Sequence, residues 1–212
     1  MRIIAGDWRG RKLAEPKGRE TTRPTTDRVR EACASMIDAA LDDGIEGSRV
    51  LDAFAGSGAM GIEMLSRGAG HAAFFDLDRT AASLVKSNLQ ALSCPAARAS
   101  VTTGDVLLAA QRGRMAGAPF DVVILDPPYA FPAQTVASLL ENLAAHGMLR
   151  DGALALYEHA RASAGVEAAG FIELRDKRYG STSVQLLRLR PEASEVDGGP
   201  SGDLADSGDA RE

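Results

Sequence analysis

The chain has little of what marks secreted, membrane-spanning or metal-bound proteins. It carries two cysteines in 212 residues, Cys33 and Cys94, far apart and without metal-ligand spacing. That excludes a disulfide framework and a thiolate metal site, and two reduced thiols are expected. No apolar run approaches the ~18 residues that a membrane span needs. Arg2, Arg9, Arg11 and Lys12 interrupt every apolar stretch at the start, so no signal-peptide pattern is present and a cytoplasmic location is expected. Histidines number three. His71 opens a predicted strand at the edge away from any ligand, His146 follows a helix, and His159 reads as a solvated strand end. No Ser/His/Asp or Cys/His arrangement emerges. There is no internal repeat, and the C-terminal tail is the one low-complexity stretch.

What is present is ordinary soluble composition, 45% hydrophobic and 25% charged. The net charge of −5 hides an asymmetry. Glu192–Glu212 holds seven acidic residues and one basic, so the rest of the chain sums to +1. Met1–Arg30 alone carries nine basic and four acidic residues. A basic segment beside a near-neutral body points to a polyanion partner, with a solvated charged face as the plain alternative. The tail has almost no apolar residue with which to offset its ordering entropy, so disorder is expected there.

Met1–Ala5 and Trp8–Leu13 read as short strands joined by a Gly6-Asp7 turn. Lys17–Pro24 is polar and reads as loop. A helix starts at Thr25, Thr26 or Asp27, each a competent N-cap, and Gly44 and Gly47 end it. Its apolar positions Val29, Cys33, Met36, Ile37, Ala40 and Leu41 recur at helical spacing. From Arg49 strands and helices alternate. Strands are expected at Arg49–Phe54, His71–Asp76, Arg98–Thr103, Asp121–Asp126 and Ala153–His159. Helices are expected at Ala59–Arg67, Arg79–Leu92, Val106–Gly113 and Pro132–His146. This alternation predicts an α/β, Rossmann-like, mostly parallel sheet. Phe171–Tyr179 and Thr182–Arg190 are linked only by Gly180-Ser181, which forces an antiparallel pair. A parallel sheet of seven strands that finishes in such a hairpin is the plan of class I S-adenosylmethionine-dependent methyltransferases.

Two motifs carry chemistry. Gly56, Gly58 and Gly61 follow the first sheet strand and open a helix, and Asp76 lies twenty residues after Gly56 at the next strand end. Close backbone approach plus an acid for ribose hydroxyls suits adenosine-containing cofactors in general, nicotinamide ones included. Asp78 is placed to cap the following helix, which leaves Asp76 for ribose. Asp105 either caps its own helix or meets the adenine amine. Asp52 orients the loop or meets the methionine amine.

The second motif is Asp126-Pro127-Pro128-Tyr129 after Val122-Val123-Ile124-Leu125. Four apolar residues read as a strand buried on both faces, and the prolines end its ladder. The result is a carboxylate, a rigid carbonyl and a ring at the carboxyl edge of the sheet, where ligands bind. This set suits methyl transfer to an exocyclic amine of a nucleobase. The Asp126 side chain and the Pro127 carbonyl supply two acceptors for the amine, and Tyr129 a face for a flipped base. A strand ended by a Pro-Pro turn is the bland alternative.

With these residues in view the chain resembles the RsmD family of bacterial methyltransferases. The resemblance covers roughly Met1–Arg190. It rests on Met1-Arg2-Ile3-Ile4-Ala5-Gly6 with Trp8-Arg9-Gly10-Arg11-Lys12-Leu13, on Arg23-Pro24-Thr25-Thr26-Asp27-Arg28-Val29-Arg30-Glu31, on Asp52–Gly58 and on Asp126–Tyr129. Asp76 stands where the family often has glutamate, and the acidic tail lies outside its pattern. The resemblance implies transfer from S-adenosylmethionine to N2 of a guanosine in small-subunit (16S) ribosomal RNA. It implies a catalytic pocket of Asp126, Pro127, Pro128 and Tyr129. It implies a cofactor site of Asp52, Phe54, Ala55, Gly56, Ser57, Gly58, Gly61, Asp76, Leu77, Gly104, Asp105, Val106 and Asp126. Arg9, Arg11, Lys12, Arg23, Arg28 and Arg30 would contact RNA phosphates. The expected organisation is a basic RNA-binding extension (1–43), a methyltransferase domain (44–190) and an acidic tail (191–212). A monomer without membrane or metal partner is expected. An adenine-N6 methyltransferase, a nicotinamide-dependent oxidoreductase and a non-catalytic ribosome-assembly factor are the rival readings.

Overall fold

The computed structural model describes residues 1–15, 27–128 and 131–191. Helix α1 (Asp27–Ala40) buries Val29, Cys33, Met36 and Ile37, a stripe at helical spacing. Then come β1 (Arg49–Asp52), α2 (Ala59–Ser66), β2 (His71–Asp76), α3 (Arg79–Ala91), β3 (Ala99–Thr103), α4 (Val106–Gln111), β4 (Phe120–Leu125), α5 (Ala133–Ala145), β5 (Leu149–Ala160), β6 (Phe171–Tyr179) and β7 (Thr182–Leu189).

The seven strands form one sheet in the order β3-β2-β1-β4-β5-β7-β6. The first five are parallel neighbours; β7 runs antiparallel to both β5 and β6. Helices cover both faces, which is why β2 and β4 are continuous apolar runs. One core lies under α1, α2 and α3 and includes Ile37, Ile62, Val50, Ile124 and Leu186. The other lies under α4 and α5 and includes Leu51, Phe120, Val123 and Leu140. No helix among the described residues is long and apolar enough to cross a membrane.

The chain leaves β1 toward β2 and later returns on the other side of β1 as β4. The loops after β1 and β4 therefore head to opposite sides of the sheet, which makes this edge the switch point where sheets of this topology form their ligand crevice. Both sequence motifs sit there.

The N-terminal hairpin differs from expectation. Its strands reduce to one antiparallel bridge, Arg2↔Lys12, with Ile3 N–H donating to the Arg11 carbonyl. The turn is wider than Gly6-Asp7 because Asp7 N–H is taken by the Ser66 carbonyl at the end of α2. Gly6 has φ +79°, and a Cβ there would stand 1.7 Å from that carbonyl oxygen. Docking on α2 thus outweighs a tight two-residue turn. Glu63, buried, accepts the Ile4 and Ala5 N–H groups, and Ile3 and Leu13 enter the same core as α1.

Candidate active site

The loop after β1 is held from three sides. Ala53 N–H donates to the Ile124 carbonyl of β4, and Ala55 N–H to Phe75 of β2. The Asp76 carboxylate takes Gly56 N–H on one oxygen and Asp78 N–H on the other, both at 2.8 Å. Asp78 caps α3 by accepting from Thr80 N–H, as the sequence suggests. Each Asp76 oxygen keeps a further lone pair, so its structural bonds leave room for a ribose hydroxyl. Gly104 N–H donates to the Asp76 carbonyl, drawing the loop after β3 to the same place.

The cradle fits an adenosine-type ligand. A Cβ on Gly56 (φ +55°) would meet nothing within 4 Å, so open space faces that backbone. Leu77, directly after the acid, is 75% exposed, an apolar face open beside the loop. Asp105 caps α4, accepting from Leu107 and Leu108 N–H groups. Its carboxylate is thus partly committed to the helix. The Val106 side chain lies in the core under α4, so the expectation that it lines the cofactor site is corrected for its side chain. Ser57 is buried, and its carbonyl accepts from Asn88.

After β4, Pro127 is buried while Asp126 and Pro128 are exposed. The Pro128 carbonyl accepts Phe131 N–H at 2.8 Å, which closes the turn. Phe131 meets Phe54 edge-on, ring centroids 5.3 Å apart, and so ties the glycine loop to the proline loop. Phe54 is among the residues the sequence assigns to the cofactor; no sequence signal marks Phe131. Tyr129 and Arg23 lie outside the described residues.

Register adds a residue that sequence reading missed. Leu125 pairs with Tyr157, so one step further Asp126 lies beside Glu158 on the neighbouring parallel strand. Asp52 pairs with Ile124, two positions before Asp126, and therefore shares its face. Three acids thus stand on one side of the sheet at its carboxyl edge. Burial pushes the Asp52 carboxyl up to about 7, against the bond from Gly61 N–H that favours its charge. Asp126 opens to solvent on one side but is otherwise set among protein atoms. That desolvation, then the charges of Glu158 and Asp52, raise its pKa well above the usual carboxylate range. Cys33 of α1 is buried nearby, and desolvation first, then Glu158 and Asp126, push its thiol upward, which leaves it an inert apolar group.

The histidines stay outside this chemistry. His159, expected to be a solvated strand end, is instead buried and stacked on Tyr157 at 4.9 Å. The strand does not end there: β5 runs on to Ala160, with His159 paired to Ser183 of β7 inside the sheet.

The expected RNA contacts divide. Arg9 and Arg28 are exposed and line, with Arg2, Asp27 and Glu31, a groove of about 590 Å³ between the N-terminal segment and α1. Arg11 donates to the Ala91 carbonyl at the end of α3 away from the crevice. Lys12 is exposed. Arg30 is 2% exposed. Its guanidinium donates to the Arg2 carbonyl at 2.6 Å and to Asp27 at 2.9 Å. Arg30 is therefore a clamp inside the protein, and its expected phosphate contact is corrected: burial and two strong partners leave no face for a phosphate.

Comparison with known proteins fits this geometry. A family model described as "Conserved hypothetical protein 95" matches residues 1–188. The chain belongs to that family, the RsmD family. It is similar to ribosomal RNA small subunit methyltransferase D of Haemophilus influenzae, 38% identical over 193 residues, covering 89% of this chain and 93% of that protein. It is similar to the protein of the same name from Escherichia coli strain K12, 38% identical over 160 residues, 74% of each chain. Among solved structures, yhhF from Escherichia coli superposes with a TM-score of 0.75 and 34% identity over 91% of this chain and 99% of that one. The fold is that of class I S-adenosylmethionine-dependent methyltransferases, as the strand order and terminal hairpin require.

Proposed function

We propose that this RsmD-family protein transfers a methyl group from S-adenosylmethionine to the exocyclic N2 of a guanosine in small-subunit (16S) ribosomal RNA, acting as a cytoplasmic monomer. The observation that carries the guanine reading is the register of β4 on β5, whose last pair is Leu125 with Tyr157 and which brings Asp126 beside Glu158 one step further on. Guanine presents adjacent donors, N1–H and the N2 amine, on its Watson–Crick edge. Adenine and cytosine present a ring acceptor beside their amine. Two neighbouring carboxyl groups match the first pattern and repel the second.

In this reading Asp126 and the Pro127 carbonyl accept the two N2–H bonds and aim the nitrogen lone pair. Glu158 accepts N1–H. The Gly56–Gly61 backbone, Asp76 and Asp105 hold the cofactor, with Leu77 against the adenine. When bound, S-adenosylmethionine supplies an electrophilic methyl on sulfur and leaves as the neutral thioether. The methylated amine must shed one proton, and Asp126 takes it. Its raised pKa brings it toward the ambient pH, where a base is most effective. Tyr129 offers the stacking face.

The names of the relatives, ribosomal RNA small subunit methyltransferases, support the RNA class. Methylation of 16S RNA and of small subunits with a labelled donor, followed by nucleoside mass spectrometry, tests the reading. N2-methylguanosine is expected. N6-methyladenosine would replace it with the adenine alternative, and no label in either substrate would refute it.

A further inference from the structure

The strand β6 lies at the edge of the sheet, and seven of its nine residues, 172–178, are exposed, Phe171 being buried and Tyr179 half-buried. Its pairing with β7 contains a register shift between Glu173 and Arg175. The extra residue is Leu174, a bulge. A bulge turns every later side chain to the other face, because alternation has a period of two. Beyond it Arg175 pairs with Leu186, Lys177 with Val184 and Tyr179 with Thr182. Leu186, Val184 and Tyr179 belong to the core on the α1 side. Arg175 and Lys177 therefore stand on the α1 face.

The alternate residues Asp176 and Arg178 pair with Gln185 and Ser183 and face the other way. Glu173, before the bulge, also faces that way, since it accepts from Gln185. The bulge thus sorts charge: cations only on the face that carries the acids of the crevice, a mixture on the back.

The position is as informative as the sign. Glu158 pairs with Val184, and Val184 with Lys177. With Asp126 beside Glu158, one row across the sheet reads Asp126, Glu158, Val184, Lys177. Three strand spacings separate its ends, about 14 Å. Helix α1 packs over β5 and β7, and its exposed Arg28 completes the patch next to Tyr179. The Tyr179 phenol is pushed up by burial and by Cys33, while Arg175 and Arg28 pull it down, so both cations lie near its ring. Arg11, by contrast, is bound at the far end of α3.

We propose that Arg175, Lys177 and Arg28 form a phosphate track that holds the RNA backbone beside the target guanosine, with the β6 bulge as the device that aims it. This rests on the RNA-methyltransferase reading and adds a substrate-binding surface to it. The partner is a sugar-phosphate backbone because three cations of two elements gather next to a pocket suited to a base, and β6 adds no acid to that face; Asp27 and Glu31 of α1 stand on the groove side of Arg28. Such contacts position a substrate without reading its sequence.

The test uses the full chain with Arg175→Gln and Lys177→Gln together, and Arg178→Gln as the control on the back of the same strand. A 16S RNA transcript is titrated across a salt series, with S-adenosylhomocysteine affinity as the check on folding. The double variant should lower the slope of log affinity against log salt by about two, roughly one per lost phosphate contact, and raise KM for RNA. Arg178→Gln should leave the slope unchanged, and both variants should bind S-adenosylhomocysteine as wild type does. An unchanged slope in the double variant, while the wild type binds and methylates RNA, would overturn the track alone. An equal drop with Arg178→Gln would overturn the assignment of faces. Normal binding of naked RNA with loss of affinity for the assembled subunit would give the edge to a protein partner and overturn the track. A wild-type chain that neither binds nor methylates RNA would overturn the track together with the reading beneath it.

Discussion

The Asp52 carboxylate accepts the Gly61 N–H at 3.0 Å and thereby ties the end of β1 to the first turn of α2. The bond is buried, and the space around it is full. A Cβ on Gly61 would lie 2.4 Å from the Phe74 ring and 3.0 Å from the same Asp52 oxygen. The third glycine of the motif is there for helix–sheet contact, and the first two for the turn.

Gly61→Ala should therefore push α2 off β2 and shift the glycine loop. Overpacking of this kind costs about 1–3 kcal/mol. Chemical denaturation should show that loss, and calorimetry should show weaker S-adenosylhomocysteine binding. Full stability in the alanine variant would mean that the helix can retreat freely.

Stability should depend on pH through the same acid. The folded-state pKa of Asp52 is raised from 3.8 to about 7. Between those values the unfolded chain has released its proton while the folded chain retains it. Stability from this group is then present below the unfolded value and falls as pH rises through the window. Asp52→Asn keeps an oxygen for Gly61 N–H and removes the titration. Its melting temperature should decline less than that of wild type from pH 5 to pH 8 in cofactor-free protein. The slope should shrink without vanishing, because Asp126 is shifted in the same direction. Parallel melting curves for the two proteins would refute the shift.

Strand bounds were legible where a strand is buried on both faces or flanked by glycine. His71–Asp76 and Phe171–Tyr179 match their expected limits. The strand β5 begins at Leu149, four residues earlier than its pattern suggests. Arg150-Asp151-Gly152 breaks the alternation, but Leu149 still pairs with Phe120 through a register shift. Both motifs of the site and their edge of the sheet were readable from spacing. Glu158 was not, because an acid after Tyr157 acquires meaning only when β5 is set against β4. The bulge at Leu174 and the ring contact of Phe131 were hidden for the same reason: they are relations between strands or loops, not within one.

Arg28 and Arg30 should part company under mutation although only Val29 separates them. Arg30→Ala removes charge-assisted bonds to the Arg2 carbonyl and to Asp27 from a buried place. Bonds of that kind contribute about 1.5–3 kcal/mol, and losing them should loosen the N-terminal segment. Arg28→Ala, on the exposed side, should change stability by no more than about 0.5 kcal/mol and weaken RNA binding. Thermal melts with RNA titrations decide this. A stable Arg30→Ala variant with impaired RNA affinity would return Arg30 to the RNA face.

Asp126 and Glu158 should separate chemistry from recognition. Asp126→Ala removes one preorganised acceptor and the base. Loss of such a partner is worth about 3–4 kcal/mol in the transition state, roughly a hundred- to thousandfold in rate. It should not lower stability, because it also relieves the repulsion among Asp126, Glu158 and Asp52. Glu158→Gln acts otherwise. The amide can turn a donor toward N1–H, so guanine engagement should weaken by about 1–3 kcal/mol, the range for a well-paired base edge. The neutral side chain also removes a charge that holds the Asp126 pKa up. The rising limb of the pH–rate profile should then move toward acid, since Asp126 becomes a carboxylate at lower pH. Single-turnover methylation of 16S RNA across pH, with cofactor affinity measured alongside, distinguishes these effects. An unmoved pH profile in Glu158→Gln would break the coupling of the two acids, and near-wild-type turnover by Asp126→Ala would remove the proline loop from the chemistry.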